Sequence, residues 1–350
     1  MIKTDVLIVG QGISGTILAH HLEERGIDFM IIDNAPQSSS SKVAGGVYNP
    51  VVFKRLTMSW RAFELLDYLD EYYSNWESKF NKKIHFKRKV LKILANEEER
   101  KFWLKRSKEE PFNKLLSNEL ILDNFNDYIR NDFGLGPVLR SGNVDINSFL
   151  ETSRNEFFNS NKLINGEFDW LKYKSGSKSF NNIFFNKIIA CDGWLSTKNP
   201  FFSYLPFNLA KGEILTIKMN DYPAEDIINK RAFILPLGNN EYRVGSTYQW
   251  TFTDDKPTDE EKAFLLDKLN GILIKEYEIV DHSAGIRPAT KDRRPILGAH
   301  PEIEELFIFN GMGSKGVMLA PLLAKDFVDY LLDDLAIQSE VDIKRFQKYS

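Results

Sequence analysis

Three observations predict a two-domain α/β fold. Wholly apolar runs recur at residues 6–9, 29–32, 188–190 and 306–309, as expected of parallel strands covered on both faces. Turn-bounded strands of antiparallel type occupy 211–219, 231–237 and 241–250, with Gly238-Asn239-Asn240 as a turn between two of them. The length, 350 residues, exceeds one average domain. The parallel material lies in separated stretches. The expectation is therefore one domain assembled from residues 1–50, 141–205 and 283–350, and a second, α+β domain on an antiparallel sheet from 51–140 and 206–282.

In chain order, Val6 to Val9 forms the first strand. Ile13, Ile17, Leu18 and Leu22 repeat at helical spacing until Gly26, a helix-stopping residue. Phe29 to Ile32 is the second strand, ended by Asp33. Residues 36–50 are loop-like, with serines at 38–41, Gly45-Gly46 and Pro50. A long aromatic-rich amphipathic helix covers 58–80. Residues 82–108 hold eleven Lys/Arg against three Glu, a local charge of +8. Residues 111–140 carry no clear period. Asp145 is a plausible N-cap for a helix bearing Phe149 and Leu150. Residues 162–174 and 179–190 alternate as strands do, 258–275 reads as a helix, and the chain closes as strand 306–309, glycine turn 310–316 and helix 317–332.

Composition narrows the function. Hydrophobic residues make up 43% and charged residues 27%, which excludes a disordered or fibrous chain. With 46 Lys and Arg against 49 Asp and Glu, the formal charge is −3, so the whole chain is not an electrostatic nucleic-acid binder. No apolar run approaches the ~18 residues of a membrane span, and no secretory pattern precedes the first strand. The single cysteine, Cys191, excludes an intrachain disulfide or a cysteine-built metal site. The expectation is a cytoplasmic protein, with peripheral membrane association left open. The five histidines show no metal spacing, and no metal is expected.

Gly10-Gln11-Gly12-Ile13-Ser14-Gly15 is a GxGxxG element between a strand and a helix, and Asp33 follows 23 residues after Gly10. Such glycines permit a tight turn and close approach of a pyrophosphate to the helix N-terminus, while the acid accepts ribose hydroxyls. This is a Rossmann-like dinucleotide fingerprint. The acid disfavours NADP, but the motif alone does not separate NAD from FAD.

From here the chain resembles the D-amino-acid oxidase (DAO) superfamily of FAD-dependent oxidoreductases. That superfamily includes glycine and sarcosine oxidases and the oxidase part of the tRNA wobble-uridine modification enzyme. The resemblance runs in order through GQGISG with Asp33, Ala44-Gly45-Gly46-Val47-Tyr48-Asn49-Pro50, Gly142-Asn143-Val144-Asp145 and Lys211-Gly212-Glu213. It continues through Leu235-Pro236 to Gly245-Ser246-Thr247, then Gly285-Ile286-Arg287-Pro288 to Pro295-Ile296-Leu297-Gly298, and Gly311-Met312-Gly313-Ser314-Lys315-Gly316. Ile188-Ile189-Ala190-Cys191-Asp192-Gly193-Trp194-Leu195-Ser196 departs from the amine-oxidase pattern and also looks like the ADGxxS of flavin hydroxylases.

The resemblance implies non-covalent FAD, since no cysteine follows Arg287. The cofactor-binding residues it implies are Gly10, Gly12, Ile13, Ser14, Gly15, Asp33, Asn34, Ala44, Gly45, Gly46, Cys191, Asp192, Gly193, Arg287, Gly311, Gly313, Ser314, Lys315 and Gly316. It implies oxidation of the C–N bond of a small amino or imino acid, N-substituted glycine-like or cyclic, by hydride transfer to flavin N5, with oxygen or a quinone as acceptor. Lys315 would supply positive charge beside the flavin and Arg287 would hold the substrate carboxylate. Each also has a plainer reading, an exposed lysine and a structural ion pair. Arg293 and Arg294 read as structural or solvated. Phe233 stands where D-amino-acid oxidases have a tyrosine, and it cannot donate that hydrogen bond. Tyr48 and Tyr248 are candidate substrate contacts, though each is also a reasonable core or rim residue.

Two alternatives stand beside this reading. The basic segment 82–108, interleaved with Phe86, Phe102 and Trp103, suits a flavoenzyme acting on a carboxymethylaminomethyl-uridine base of tRNA; its plainer reading is a solvated face. The altered Cys191 strand and Phe233 suit a flavin-binding protein without turnover.

Overall fold

The computed structural model describes residues 1–36, 39–122, 125, 127–220 and 225–349. Ser38 of the expected serine loop lies outside them. The chain divides into two compact units. Unit 1 comprises Met1–Lys42, Ile146–Ala210 and Ile286–Ser350, and unit 2 comprises Val43–Asp145 and Lys211–Gly285.

Unit 1 is built on a sheet whose central strand is Ile2–Val9. Phe29–Asp33 lies parallel on one side and Ile183–Ala190 parallel on the other. Leu163–Asn165 extends the first side, and Leu306–Asn310 extends the second in parallel before the antiparallel strand Ile296–Ala299. Strand order therefore reverses at the central strand, and ligands of such sheets bind outside the carboxyl ends at that reversal. Val9 pairs with Ala190, and Ala190 with Ile308. The ends of three strands far apart in sequence thus lie side by side. Leu7, Val9, Ile188, Ala190 and Ile308 share a core cluster with Phe180, Phe185 and Phe202, which explains the uninterrupted apolar runs.

Helix Ile13–Glu24 follows the central strand, and Gly26 (φ +68°) stops it. Helix Ile146–Asn159 begins directly after Asp145. The last helix, Gly316–Asp333, carries Pro321 inside it.

Unit 2 contains a sheet in which Ala210–Lys218, Glu241–Gly245, Ala232–Gly238, Ile227–Lys230, Val90–Ile93 and Leu135–Val138 are successive neighbours, with Glu278–Arg287 at one edge. One sheet face and helix Asp259–Asn270 enclose a core of Leu215, Ile217, Ile234, Val244, Leu265 and Leu269. Thr258 caps that helix, accepting from Glu261 N at 3.3 Å. A smaller sheet sets Gly142–Val144 between Val47–Tyr48 and His85–Lys87.

Several expectations change. Residues 43–50 and 141–145, expected in the first domain, cluster in unit 2, because Val47 and Tyr48 pair with Asn143 and Gly142. The helix expected at 58–80 is Ala62–Phe80. The basic segment holds two strands and helix Glu97–Arg106, capped by Asn96, whose side chain accepts from Glu99 N at 2.8 Å. The strand expected at 162–174 stops at Asn165. Strands Ile227–Lys230, Glu278–Arg287 and Ile296–Ala299 add to those expected. Among the described residues, no helix is long and apolar enough to cross a membrane.

Candidate functional site

Unit 1 brings three glycine-bearing turns together at one sheet edge. Gly10 follows the central strand at φ +101°, and a Cβ there would lie 2.7 Å from Cys191 O. A Cβ on Gly15 would lie 2.0 Å from Gly10 O. Both positions require glycine, one for its backbone angle and its neighbour, the other for the overlap alone. The first ladder bond of the helix is Thr16 N to Gly12 O at 3.0 Å, so the amides of Ser14 and Gly15 stand outside the ladder, as at any helix start. Ile13 N donates to Ser41 Oγ at 3.1 Å.

The last helix starts beside this turn. A Cβ on Gly316 would lie 3.0 Å from Ile13 Cγ2, so two helix N-termini adjoin. Two positive dipole ends beside glycine turns suit a diphosphate. Gly311 (φ +80°) leaves no room for a side chain against Thr290 and Pro295, and Gly313 has φ +56°. Ser314 is exposed. Lys315 is half-buried and caps the helix, its carbonyl accepting from Met318 N and Leu319 N at 3.0 Å. Burial, then the charge of Arg294, holds its ammonium down to about 8.

The Cys191 turn is braced from the neighbouring strand. Asn310 Nδ2 donates to Gly193 O at 2.8 Å and to Ser196 Oγ at 2.7 Å. Ser196 Oγ also donates to Asp192 Oδ1 in a short bond, and Trp170 Nε1 donates to Asp192 Oδ2 at 3.1 Å. Burial pushes the Asp192 carboxyl up to about 6 against these hydrogen bonds. The departure at 191–196 is thus a hydrogen-bonded brace between two segments. Burial, then Asp192, raises the Cys191 thiol well above its ordinary range.

Asp33 is engaged more heavily than expected. It accepts from Gln11 N at 2.9 Å, Ala35 N at 2.7 Å and Arg154 Nη1 at 2.7 Å. A carboxylate offers about four acceptor sites, so one remains for a ribose hydroxyl. Arg154 also donates to Gln11 Oε1 at 2.9 Å and to Asn165 Oδ1. Sequence reasoning missed Arg154 and Ser41; only their distance from the fingerprint hid them. Asn34 is exposed.

The motif at 285–298 divides its work. Asp292 accepts from Arg294 N at 3.0 Å and Arg345 Nε at 2.9 Å, bracing a turn. Arg287 is half-buried at the end of strand Glu278–Arg287.

In unit 2, Ala44 O accepts from Arg243 Nη1 at 2.9 Å, Gly45 packs on Phe233, and Gly46 O accepts from Val144 N at 3.0 Å. Phe233 is half-buried, and Tyr248 is 54% exposed with its ring 6.4 Å from that of Trp250. Tyr48 is 4% exposed and its hydroxyl lies 2.8 Å from His85 Nε2, inside the unit. A residue that alternates into the interior of a small sheet presents no polar group outward.

The basic segment is largely committed. Lys83 pairs with Glu77, Lys87 with Asp70, Lys92 with Glu99, Arg100 with Glu97 and Arg106 with Glu109. Glu97 and Glu99 lie inside the segment and already enter its charge of +8; Asp70, Glu77 and Glu109 lie outside it and lower the effective charge. Among the described residues, His20, Glu23 and Glu156 have ligand-type atoms within 4.8 Å of one another. His20 Nε2 lies 2.9 Å from Ser153 Oγ, and Lys162 Nζ donates to Glu23 Oε1 at 2.9 Å.

The turns, the paired helix starts and the acid after the second strand define a dinucleotide-binding flavoprotein fold. The chain belongs to the DAO family of FAD dependent oxidoreductases, whose model matches residues 5–150 and 164–330, and FAD is its cofactor. It is similar to glycine oxidase of Bacillus subtilis (strain 168), 28% identical over 187 residues, covering 51% of this chain and 47% of that protein. It is also similar to the tRNA 5-methylaminomethyl-2-thiouridine biosynthesis bifunctional protein MnmC of Marinobacter nauticus, 21% identical over 95% of this chain and 56% of that protein. The matches thus span about half the length of these relatives. The crystal structure of glycine oxidase from Geobacillus kaustophilus shares the fold at TM-score 0.79 and 20% identity, covering 99% of this chain and 98% of that one.

Proposed function

We propose that the chain oxidises the C–N bond of a small amino or imino acid, N-substituted glycine-like or cyclic, using non-covalently bound FAD. The observation that carries this reading is the side-by-side ending of Val9, Ala190 and Ile308, which sets three motif turns on one edge. Gly10, Gly12, Ile13, Ser14 and Gly15, with the start of the last helix at Gly316, would hold the diphosphate on amides and helix dipoles. Asp33 would accept from the ribose through its remaining lone pair. Cys191, Asp192, Gly193, Gly311, Gly313 and Ser314 would line the same cofactor with backbone.

When bound, FAD supplies the acceptor for a hydride and its electron pair. Lys315, where it carries its proton, would place positive charge where those electrons accumulate, an electrostatic contribution that needs no movement. Arg287 would hold the substrate carboxylate with its planar fork. Reaction from the neutral amine requires the substrate nitrogen to shed its proton, which removal from water favours. The acceptor that reoxidises the enzyme is oxygen or a quinone.

The test is an anaerobic screen of glycine, sarcosine, proline and D-amino acids against flavin-loaded protein, followed at the flavin absorbance. Bleaching by one of them, slowed in Arg287→Ala, is expected. Protein that neither retains nor takes up FAD would overturn the reading, and loaded protein that no amine bleaches would favour a binding protein without turnover. A second reading, action on a modified tRNA base, is favoured by the MnmC alignment over 95% of this chain. Salt-sensitive tRNA binding tests it.

A further inference from the structure

Trp170, Asp192, Ser196 and Asn310 all belong to unit 1. Asn310 Nδ2 donates to Gly193 O at 2.8 Å and to Ser196 Oγ at 2.7 Å, while its Oδ1 accepts from Gly311 N at 2.7 Å. A backbone carbonyl only accepts and a backbone N–H only donates, so the Asn310 amide has one orientation. Ser196 Oγ, accepting from Asn310, gives its single proton to Asp192 Oδ1. Trp170 Nε1, which can only donate, reaches Asp192 Oδ2 at 3.1 Å. The donors therefore run one way, toward Asp192, and both carboxylate oxygens serve as acceptors. Asn310 and Ser196 are 2% and 0% exposed, so bulk water offers them no substitute partner.

These bonds join three stretches of sequence: the loop at Trp170, the turn at 191–196 and the turn opening at Gly311. The 191–196 turn also presses on the fingerprint. A Cβ on Gly10 would lie 2.7 Å from Cys191 O, and Cys191 N donates to Val9 O at 2.8 Å. The carboxylate at the end of the chain does not serve the fold at neutral pH. Burial outweighs its donors and raises it from 3.8 to about 6. Such a group stabilises the fold at low pH, and that contribution is lost as pH rises through about 6. Perturbed carboxyls of this kind gather at functional sites.

We propose that Asp192 is a positioning residue for FAD: through Ser196 and Asn310 its side chain sets the turns at 191–193 and 311–313 together, so that flavin affinity depends on a carboxylate turned into the protein. This rests on the reading above that both turns line the cofactor, and adds the group that fixes them. Asn310 holds a carbonyl of one turn and an amide of the other, and Ser196 ties Asn310 to Asp192. Asp192→Asn offers one acceptor oxygen where two donors arrive, so the network must break at Ser196 or at Trp170.

The experiment titrates FAD into flavin-free protein at neutral pH, followed by flavin fluorescence, and measures backbone hydrogen exchange of both turns by mass spectrometry. Asp192→Asn and Ser196→Ala are each expected to weaken FAD binding about tenfold or more, the loss of one hydrogen bond to a charged group. The double variant should be no weaker than the weaker single one, because both cut the same chain. In flavin-free Asp192→Asn, exchange should quicken at 310–316 as well as at 191–196, with the thermal midpoint held. Unchanged FAD affinity in Asp192→Asn overturns the proposal. So does weakened affinity with a lowered midpoint and faster exchange throughout unit 1, which marks a general loss of fold. In wild type, FAD should slow exchange at both turns. If it does so while the variants bind normally, the proposal alone falls; if it slows neither, the reading that these turns line the cofactor falls instead.

Discussion

Gly15 lies against the carbonyl of Gly10 so closely that a Cβ on it would stand 2.0 Å from the oxygen. The turn after the central strand and the start of the first helix therefore share one packing constraint. Gly15→Ala must displace the turn. Retained flavin, read from the ratio of flavin to protein absorbance, should fall at least tenfold, while the flavin-free protein loses ~1–3 kcal/mol from the strained contact. Full flavin occupancy in that variant would show that the turn has slack.

Arg154 reaches Asp33 across 121 residues of sequence at 2.7 Å. Arg154→Met leaves a partly buried carboxylate short of a donor. A loss of about 1–3 kcal/mol in urea unfolding is expected. Flavin affinity should fall as well, because Asp33 no longer has a fixed orientation. A variant as stable as wild type would reduce the pair to a surface contact.

Lys315 titrates near 8 because burial, and secondarily Arg294, disfavours its charge. Its cation is present below that pH and is lost above it. Flavin reduction by amine should therefore lose a Lys315-dependent component as pH rises through about 8, and Lys315→Met should lack that component. Stability moves oppositely. The folded group sheds its proton before the unfolded one at 10.5, so between about 8 and 10.5 the unfolded chain binds more protons and stability rises with pH. A difference in thermal midpoint between wild type and Lys315→Met that stays flat across this window would contradict the assignment.

Tyr48 and His85 hold each other at 2.8 Å inside unit 2. Tyr48→Phe should cost about 0.5–1.5 kcal/mol by removing one hydrogen bond. Its effect should appear in unfolding curves rather than in KM. A KM rise above tenfold at unchanged stability would return Tyr48 to the substrate site.

The elements legible in the sequence were those with dense local signals. Residues 6–9 and 306–309 are apolar without interruption because both faces of the parallel sheet are covered, and the glycine turns stand where backbone must approach backbone. Strand Glu278–Arg287 escaped reading because its burial is mixed and its first residues are mostly exposed or half-exposed. Strand Ile296–Ala299 contains Gly298 (φ +133°), which reads locally as a turn.

By itself, the order of residues determined the dinucleotide fingerprint, the acid at Asp33 and the chain order of the motif turns, because each depends on neighbours within one turn or strand. Tertiary structure alone decided which distant side chains serve them. Ser41 meets Ile13 N, Arg154 meets Asp33, Asn310 braces Gly193 and Tyr48 turns inward to His85. Each of these contacts is made across chain separations that local pattern does not encode. Polar groups taken out of water must find partners wherever the fold places them.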